Sequence, residues 1–348
     1  GGLGKTANSI VDALAMTSGK ALAGTRPDER LRVWLFNAED PRDELERRIM
    51  AAALHYKLAP GDIDGLFLDT GREQELVVAV EDKRNGVRIQ QPVVEAVVEQ
   101  IRANRIDVMI VDPFVSTHRV SENDNGAIDA VAKLWAQIAD DTNCAIDIVH
   151  HLRKVADREA TVEDARGAVS LIGAARSVRV LNRMSETQAT EASVPGQERF
   201  GFFSITYGKS NLTPLSNRLD WRRLESVPLG NGRGLTKPQD FAPVVTEWKW
   251  PSAEEVAGAV TPEQLRHIQT LVDNSDYKTA ANAKSWAGQA VAYALGLDID
   301  DAAEKRRAGA VLKALMKEGA LVEARERDAI SRKEAVFVRS ATRAEMAA

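Results

Sequence analysis

The sequence predicts an α/β fold, a mostly parallel sheet between layers of helix, with a small α+β module after it. Three observations carry that expectation. A glycine-rich turn, Gly1-Gly2-Leu3-Gly4-Lys5-Thr6, runs straight into a helical pattern at 7–16. Apolar runs of strand length then alternate with amphipathic helical stretches up to residue 222, the pattern of parallel strands joined by crossover helices. From residue 261 three helical patterns and two short strands replace that alternation.

A chain of 348 residues can hold a full-sized α/β domain and a smaller one. Its 44% apolar and 28% charged content is ordinary for a globular protein, and a net charge of −5 excludes a wholly basic nucleic-acid coat while leaving room for a local basic face. The single cysteine, Cys144, sits in an apolar run and reads as a small buried hydrophobe. That excludes a disulfide and a cysteine metal site, and it fits a reducing cytoplasm. With no signal-peptide pattern and no apolar stretch of spanning length, a cytoplasmic location is expected. The expected domains are 1–228, a linker at 229–258, a second domain at 259–342 and a tail at 343–348.

Gly-Lys-Thr entering a helix is the back half of a phosphate-binding P-loop. Gly2 and Gly4 let backbone N–H groups wrap a triphosphate, Lys5 reaches the β- and γ-phosphates, and the Thr6 hydroxyl holds Mg²⁺ at a helix N-terminus that favours anions. The full pattern needs another glycine ahead of residue 1, and no Met opens the chain. An N-terminal portion with the strand that feeds the loop is therefore expected outside this sequence.

A β-branched and aromatic strand at 32–37 ends in Ala38-Glu39-Asp40-Pro41, where the proline starts a helix at 42–55. A carboxylate pair at the end of a buried strand either caps the next helix or sits where doubly wound proteins place ligand chemistry. Strands at 66–68 and 76–80 flank a turn signal, and a helix at 91–104 gathers Val93, Val94, Val97, Val98 and Ile101 on one face. Next comes an almost wholly apolar strand closed by Asp112, the Walker B pattern. Burial on both faces puts that carboxylate at the strand tip beside the P-loop, where it can hold the hydration shell of Mg²⁺.

After a helix at 127–141, the strand 144–149 ends in His150-His151. Neighbours on a strand point to opposite faces and cannot chelate together, so His151 is placed to sense a γ-phosphate and His150 is structural. Arg166 and Arg176 lie ten residues apart, close to three helical turns, so a helix through residue 176 would show both on one side. They are surface arginines or, in an oligomeric ATPase, groups that reach a neighbour's γ-phosphate. Strands at 200–207 and 217–222 enclose Gly208-Lys209-Ser210-Asn211. Helices at 262–273, 283–295 and 302–317, then strands at 321–324 and 335–338, outline a winged helix-turn-helix. Arg306, Arg307 and Lys313 on its third helix, with Arg325, Arg327, Arg332 and Lys333 on the hairpin, could meet DNA phosphates, although such modules also dock proteins.

With these motifs in this order, residues 1–222 resemble the RecA-like AAA-family ATPases of the DnaB/RecA superfamily, typified by the plasmid-replication hexameric helicase RepA. The resemblance implies a RecA-like P-loop NTPase core that binds ATP and Mg²⁺. It gives Lys5 and Thr6 the phosphates and metal, Glu39 the role of general base, Asp112 the metal and His151 the γ-phosphate. It makes Arg176 a finger acting on a neighbouring subunit, helped by Lys209. It further implies a homo-oligomeric ring, expected to be a hexamer, on single-stranded DNA. The RepA-type enzyme is essentially the ATPase domain alone, so ATP hydrolysis carries over more directly than unwinding. The expected function is a replicative helicase or translocase of plasmid, phage or prophage type. A recombinase-like or DNA-loading ATPase, and an ATP-switched DNA-binding regulator, are the alternatives.

Overall fold

Val33-Trp34-Leu35-Phe36 is apolar at every position, and a strand of that kind is stable only between two covered faces. In the computed structural model it is buried throughout, at the centre of a four-stranded parallel sheet. Residues 3–24, 26–82, 86–151, 159–164, 169–211, 219–234, 236–252, 255, 260–327, 332 and 334–341 are described. They form two units, Gly1–Arg183 with Gly201–Trp248, and Met184–Phe200 with Lys249–Ala348.

The first unit runs α1 (Lys5–Ser18), β1 (Val33–Asn37), α2 (Arg42–His55), β2 (Leu66–Thr70), β3 (Ala79–Asp82), β4 (Gly86–Ile89), α3 (Gln91–Asn104), β5 (Val108–Asp112), β6 (His118–Arg119), α4 (Asn125–Thr142), β7 (Ala145–Ile148), α5 (Val169–Ala174) and β8 (Ser177–Arg183). It resumes with β9 (Phe202–Ser210), β10 (Asp220–Pro228) and β11 (Phe241–Trp248). The parallel sheet has the order β2-β1-β5-β7. Alternate side chains divide between its faces as a strand requires. Val33, Leu35 and Ile110 pack against α1 and α2, whereas Trp34, Phe36, Met109 and Val111 pack against α3 and α4.

An antiparallel sheet, ordered β11-β10-β9-β8, contributes Phe203, Ile205, Val244 and Val245 to the same core as α1. The helix is thereby enclosed, and its sequence of small and apolar residues follows from that burial. This second sheet differs from the expected chain organisation. Phe241–Trp248 lies inside the expected linker 229–258, yet it is a strand paired along its whole length with β10. Its apolar side chains outweigh the glycines and prolines before it: Ala242, Val244 and Val245 are buried, and Tyr56 Oη–H donates to the Val245 carbonyl over 2.6 Å. Residues 184–200, expected within the first domain, belong to the second unit. The helix expected to run through Arg176 stops at Ala174, so Arg176 stands at the turn into β8.

The second unit holds α6 (Glu186–Ala192), α7 (Pro262–Asp273), α8 (Ala287–Leu295), α9 (Ala302–Lys317) and a hairpin of β12 (Leu321–Arg327) and β13 (Glu334–Ser340). Thr261 caps α7 in a reciprocal box with Gln264, and Asp301 caps α9 through the N–H groups of Ala303 and Glu304. Val338 N–H donates to the Tyr277 carbonyl, which ties the α7–α8 connection to the hairpin. Ile268, Val291, Leu312, Leu315 and Leu321 share one core with Trp286. Among the described residues no helix is long and apolar enough to cross a membrane.

Candidate nucleotide site

Strand parity and register assemble the site before any ligand is considered. Asn37 follows Val33 and Leu35, and Asp112 follows Ile110, onto the α1 side of the sheet, where pairing sets the two side by side. Gly4 precedes α1 with φ of 84°, and a Cβ there would also lie 3.2 Å from the Leu224 side chain. Glycine meets both demands. The helix start has no side-chain cap and no acidic residue in its first turn, which leaves its N–H groups and dipole for an anion.

Thr6 Oγ1–H donates to Asp112 Oδ2 over 2.7 Å, and Asn37 Nδ2–H donates to the same oxygen over 3.2 Å. The Ala38 N–H donates to the Asp112 carbonyl over 2.8 Å, which locks the strand ends together. Asn37 Oδ1 in turn accepts the N–H groups of Glu39 and Asp40, at 3.0 and 2.8 Å. The two carboxylates then part company. Asp40 pairs with Arg48 at 2.9 Å, whereas Glu39 is exposed and holds no ion pair among the described residues. Its backbone is held all the same, since Arg72 Nε–H donates to the Glu39 carbonyl over 3.0 Å.

Electrostatics bind the group together. Burial pushes the Lys5 ammonium below its ordinary range, against the pull of the Asp112 and Glu39 carboxylates. Burial pushes the Asp112 carboxyl up, with the Thr6 hydrogen bond opposing and Glu39 adding to the rise. Burial also lowers His151, followed by the charge of Lys5, while Glu39 and Asp112 oppose it. Lys5, Thr6, Glu39, Asp112 and His151 therefore share one neighbourhood at the carboxyl ends of β1, β5 and β7. His150 turns to the other side, with its ring 6.2 Å from that of Phe114.

The side chains fit a nucleotide triphosphate with Mg²⁺. Among the described residues His151 Nε2 is buried without a hydrogen-bond partner, beside an uncapped helix start and a partly buried lysine. A hydroxyl and a carboxylate already in contact are hard oxygen donors. Among the described residues no group of three or more His, Cys, Asp or Glu could cage a metal alone. Mg²⁺ is usually held by one or two carboxylates and substrate phosphates.

Residues 1–157 match the profile of a protein family described as AAA domain. The parallel sheet β2-β1-β5-β7 of the first unit, with helices on both faces, has the architecture of a RecA-like core. No curated protein matches the chain. Among solved structures, an ATPase domain is similar at 13% identity and a TM-score of 0.44, with 63% of this chain and 77% of that one covered. The RadB recombinase is similar at 14% identity and a TM-score of 0.39, with 64% and 83% covered.

The remaining expected site residues lie elsewhere on the RecA-like domain or beyond it. Arg176 is exposed, and Lys209 Nζ–H donates to the carbonyls of Ile172 and Gly173, both at 2.9 Å. The structure does not bring Lys209 into the group around Lys5. On the second unit, Arg306, Arg307, Lys313 and Arg325 are exposed, and Arg327 Nε–H donates to the Arg332 carbonyl over 3.0 Å. Gly2, Arg166 and Lys333 lie outside the described residues. Sequence reasoning missed Asn37, although a lone amide closing an apolar strand was a visible signal. It also missed Arg179, which joins α1 to β7 through Asp12 at 2.9 Å and Asp147 at 2.8 Å. Nothing in the spacing of those three residues announces the contact.

Proposed function

We propose that the protein is a Mg²⁺-dependent ATPase that assembles as a ring, expected to be hexameric, and moves along single-stranded DNA as a replicative helicase or translocase. The observation that carries this reading is the direct Thr6–Asp112 bond, with Lys5, Glu39 and His151 gathered around it. Thr6 Oγ1 and Asp112 would hold Mg²⁺, which neutralises charge on the β- and γ-phosphates when bound. Lys5 adds a cation at the same phosphates, and the N–H groups of the first turn of α1 cradle them. Glu39 accepts the proton of a water that attacks the γ-phosphorus, a role its unpaired and accessible carboxylate suits. His151 Nε2 supplies a hydrogen bond to the γ-phosphate. Arg176, with Lys209 behind it, acts on the nucleotide of a neighbouring subunit.

The C-terminal unit adds a winged helix that contacts DNA phosphates through Arg306, Arg307, Lys313, Arg327, Arg332 and Lys333. Helices α7, α8 and α9, the terminal hairpin and the exposed cations on α9 support that role. Glu39→Gln is expected to bind ATP and to hydrolyse it about 10²–10⁴-fold more slowly. Turnover equal to the wild type in that variant would remove Glu39 from the mechanism. Single-stranded DNA is expected to stimulate wild-type turnover, and electron microscopy of the ATP-bound protein on it separates closed rings from the open filaments of a recombinase. Replacing Arg306, Arg307 and Lys313 with alanine is expected to cut the slope of log binding constant against log salt by about 2–3. An unchanged slope would assign those cations to a protein partner.

A further inference from the structure

Asn37 is the polar end of an otherwise apolar strand, and only 1% of it is exposed. A primary amide is costly to bury unless its donors and acceptor are used. Here they are used in two directions. The Nδ2–H end reaches Asp112 Oδ2 at 3.2 Å, the oxygen that Thr6 also contacts. The Oδ1 end receives the N–H groups of Glu39 and Asp40 at 3.0 and 2.8 Å. One planar group thus spans the space between a metal-binding carboxylate and the backbone that carries the general base.

We propose that Asn37 is a positioning residue of the ATPase site, whose amide fixes the Asp112 carboxylate and the Glu39 backbone in one frame. This rests on the ATPase reading of the site. The requirement selects asparagine. Aspartate keeps both acceptor bonds but turns the donor facing Asp112 into a like charge, and leucine keeps the approximate volume but neither function. The turn at Glu39 and Asp40 alone needs only an acceptor, which aspartate supplies as well. What distinguishes asparagine is the contact with Asp112. The main chain does not depend on it: Ala38 N–H still reaches the Asp112 carbonyl, and Gly71 N–H still reaches the Asn37 carbonyl at 2.9 Å.

Asn37→Asp and Asn37→Leu test this beside the wild type and Lys5→Ala. The aspartate variant is expected to lose about 10–100-fold in kcat and to need about tenfold more Mg²⁺ for half-maximal turnover, with KM for ATP within about threefold. Binding of a fluorescent ATP analogue without Mg²⁺ should be unchanged in it, and about tenfold more Mg²⁺ should be needed to tighten that binding. Amide hydrogen exchange supplies a second measurement that needs no variant. The Glu39 and Asp40 amides are expected to be protected in the wild type and in Asn37→Asp, and to exchange rapidly in Asn37→Leu. Wild-type kcat and Mg²⁺ dependence in Asn37→Asp would overturn the inference, as would unprotected Glu39 and Asp40 amides in the wild type. If the wild type neither binds nor hydrolyses ATP, and so matches Lys5→Ala, the ATPase reading itself fails. An active wild type with an equally active Asn37→Asp sinks only the role of Asn37.

Discussion

Two places on the first unit carry expected site residues, and they are built in opposite ways. At the tips of β1, β5 and β7 the polar groups serve one another: Thr6 and Asn37 share one oxygen of Asp112, and Asn37 also holds the Glu39 turn. At the edge where α5 meets β8 the backbone is anchored and the functional group is left over. Lys209 satisfies the carbonyls of Ile172 and Gly173, the Asn211 N–H donates to the Arg176 carbonyl over 3.0 Å, and the Arg176 side chain is exposed. In the first arrangement the side chains satisfy one another. The second anchors the backbone and leaves the guanidinium exposed, the arrangement that the proposed action on a neighbouring subunit would use.

The largest expected effect tests that difference directly. An arginine acting in trans is worth about 10³–10⁵ in kcat, so Arg176→Ala should nearly abolish turnover while leaving nucleotide binding intact. Mixed with Glu39→Gln subunits it should regain activity, because some interfaces then join an intact Glu39 to an intact Arg176. Absence of rescue at every mixing ratio, with mixed oligomers shown to form, would place Arg176 outside the mechanism and dissolve the contrast between the two places.

The group at the strand tips was far more legible in the sequence than the edge. Lys5, Thr6, Glu39, Asp112 and His151 each close or open an element, and strand parity with parallel register is enough to bring such tips together. The parallel sheet was readable for the same reason, because burial on both faces leaves continuous apolar runs. The second sheet was not. β11 follows a glycine-rich stretch that outweighs its alternation on paper, and only pairing with β10 reveals it as a strand. Arg176 was assigned a helix by spacing, yet Lys209 caps that helix at its carbonyls, a contact between residues 36 and 37 positions apart. Asp12, Asp147 and Arg179 meet across separations where one sequence offers no periodicity to follow.

A smaller effect probes how tightly the site end is built. Gly71 lies against the Glu39 loop so closely that an added Cβ would stand 2.8 Å from the Ala38 Cα. Backbone cannot yield as a flexible side chain does, so Gly71→Ala should displace residues 38–40 or strain β2. A loss of about 1–3 kcal/mol in chemical denaturation is expected, together with a fall in kcat that exceeds any change in KM. The same denaturation experiment on an alanine at Gly173, where an added Cβ meets nothing within 4 Å, should show a much smaller change. Equal losses at the two glycines would mean that the site end is no more tightly packed than the edge.

The smallest effect is a pH dependence confined to the site end. Burial holds His118, His150 and His151 below the ordinary histidine range, with Glu122 opposing at the first two and Lys5 adding to the depression at the last two. A depressed histidine is neutral when folded and gains its proton more readily when unfolded. The unfolded chain therefore binds more protons, so the stability involved is complete above about pH 6.5 and is lost as pH falls through that value. His118 isolates the effect because it is 2% exposed, lies 4.7 Å from the Phe114 ring and has an Nε2 without a partner among the described residues. In His118→Phe the drop in melting temperature between about pH 7.5 and pH 5.5 should be smaller than in the wild type. Taking the difference between the two proteins cancels the carboxylates, whose titration both share. Parallel curves would show that His118 takes up its proton as easily folded as unfolded, and that the pH response of this end of the domain resides in other groups.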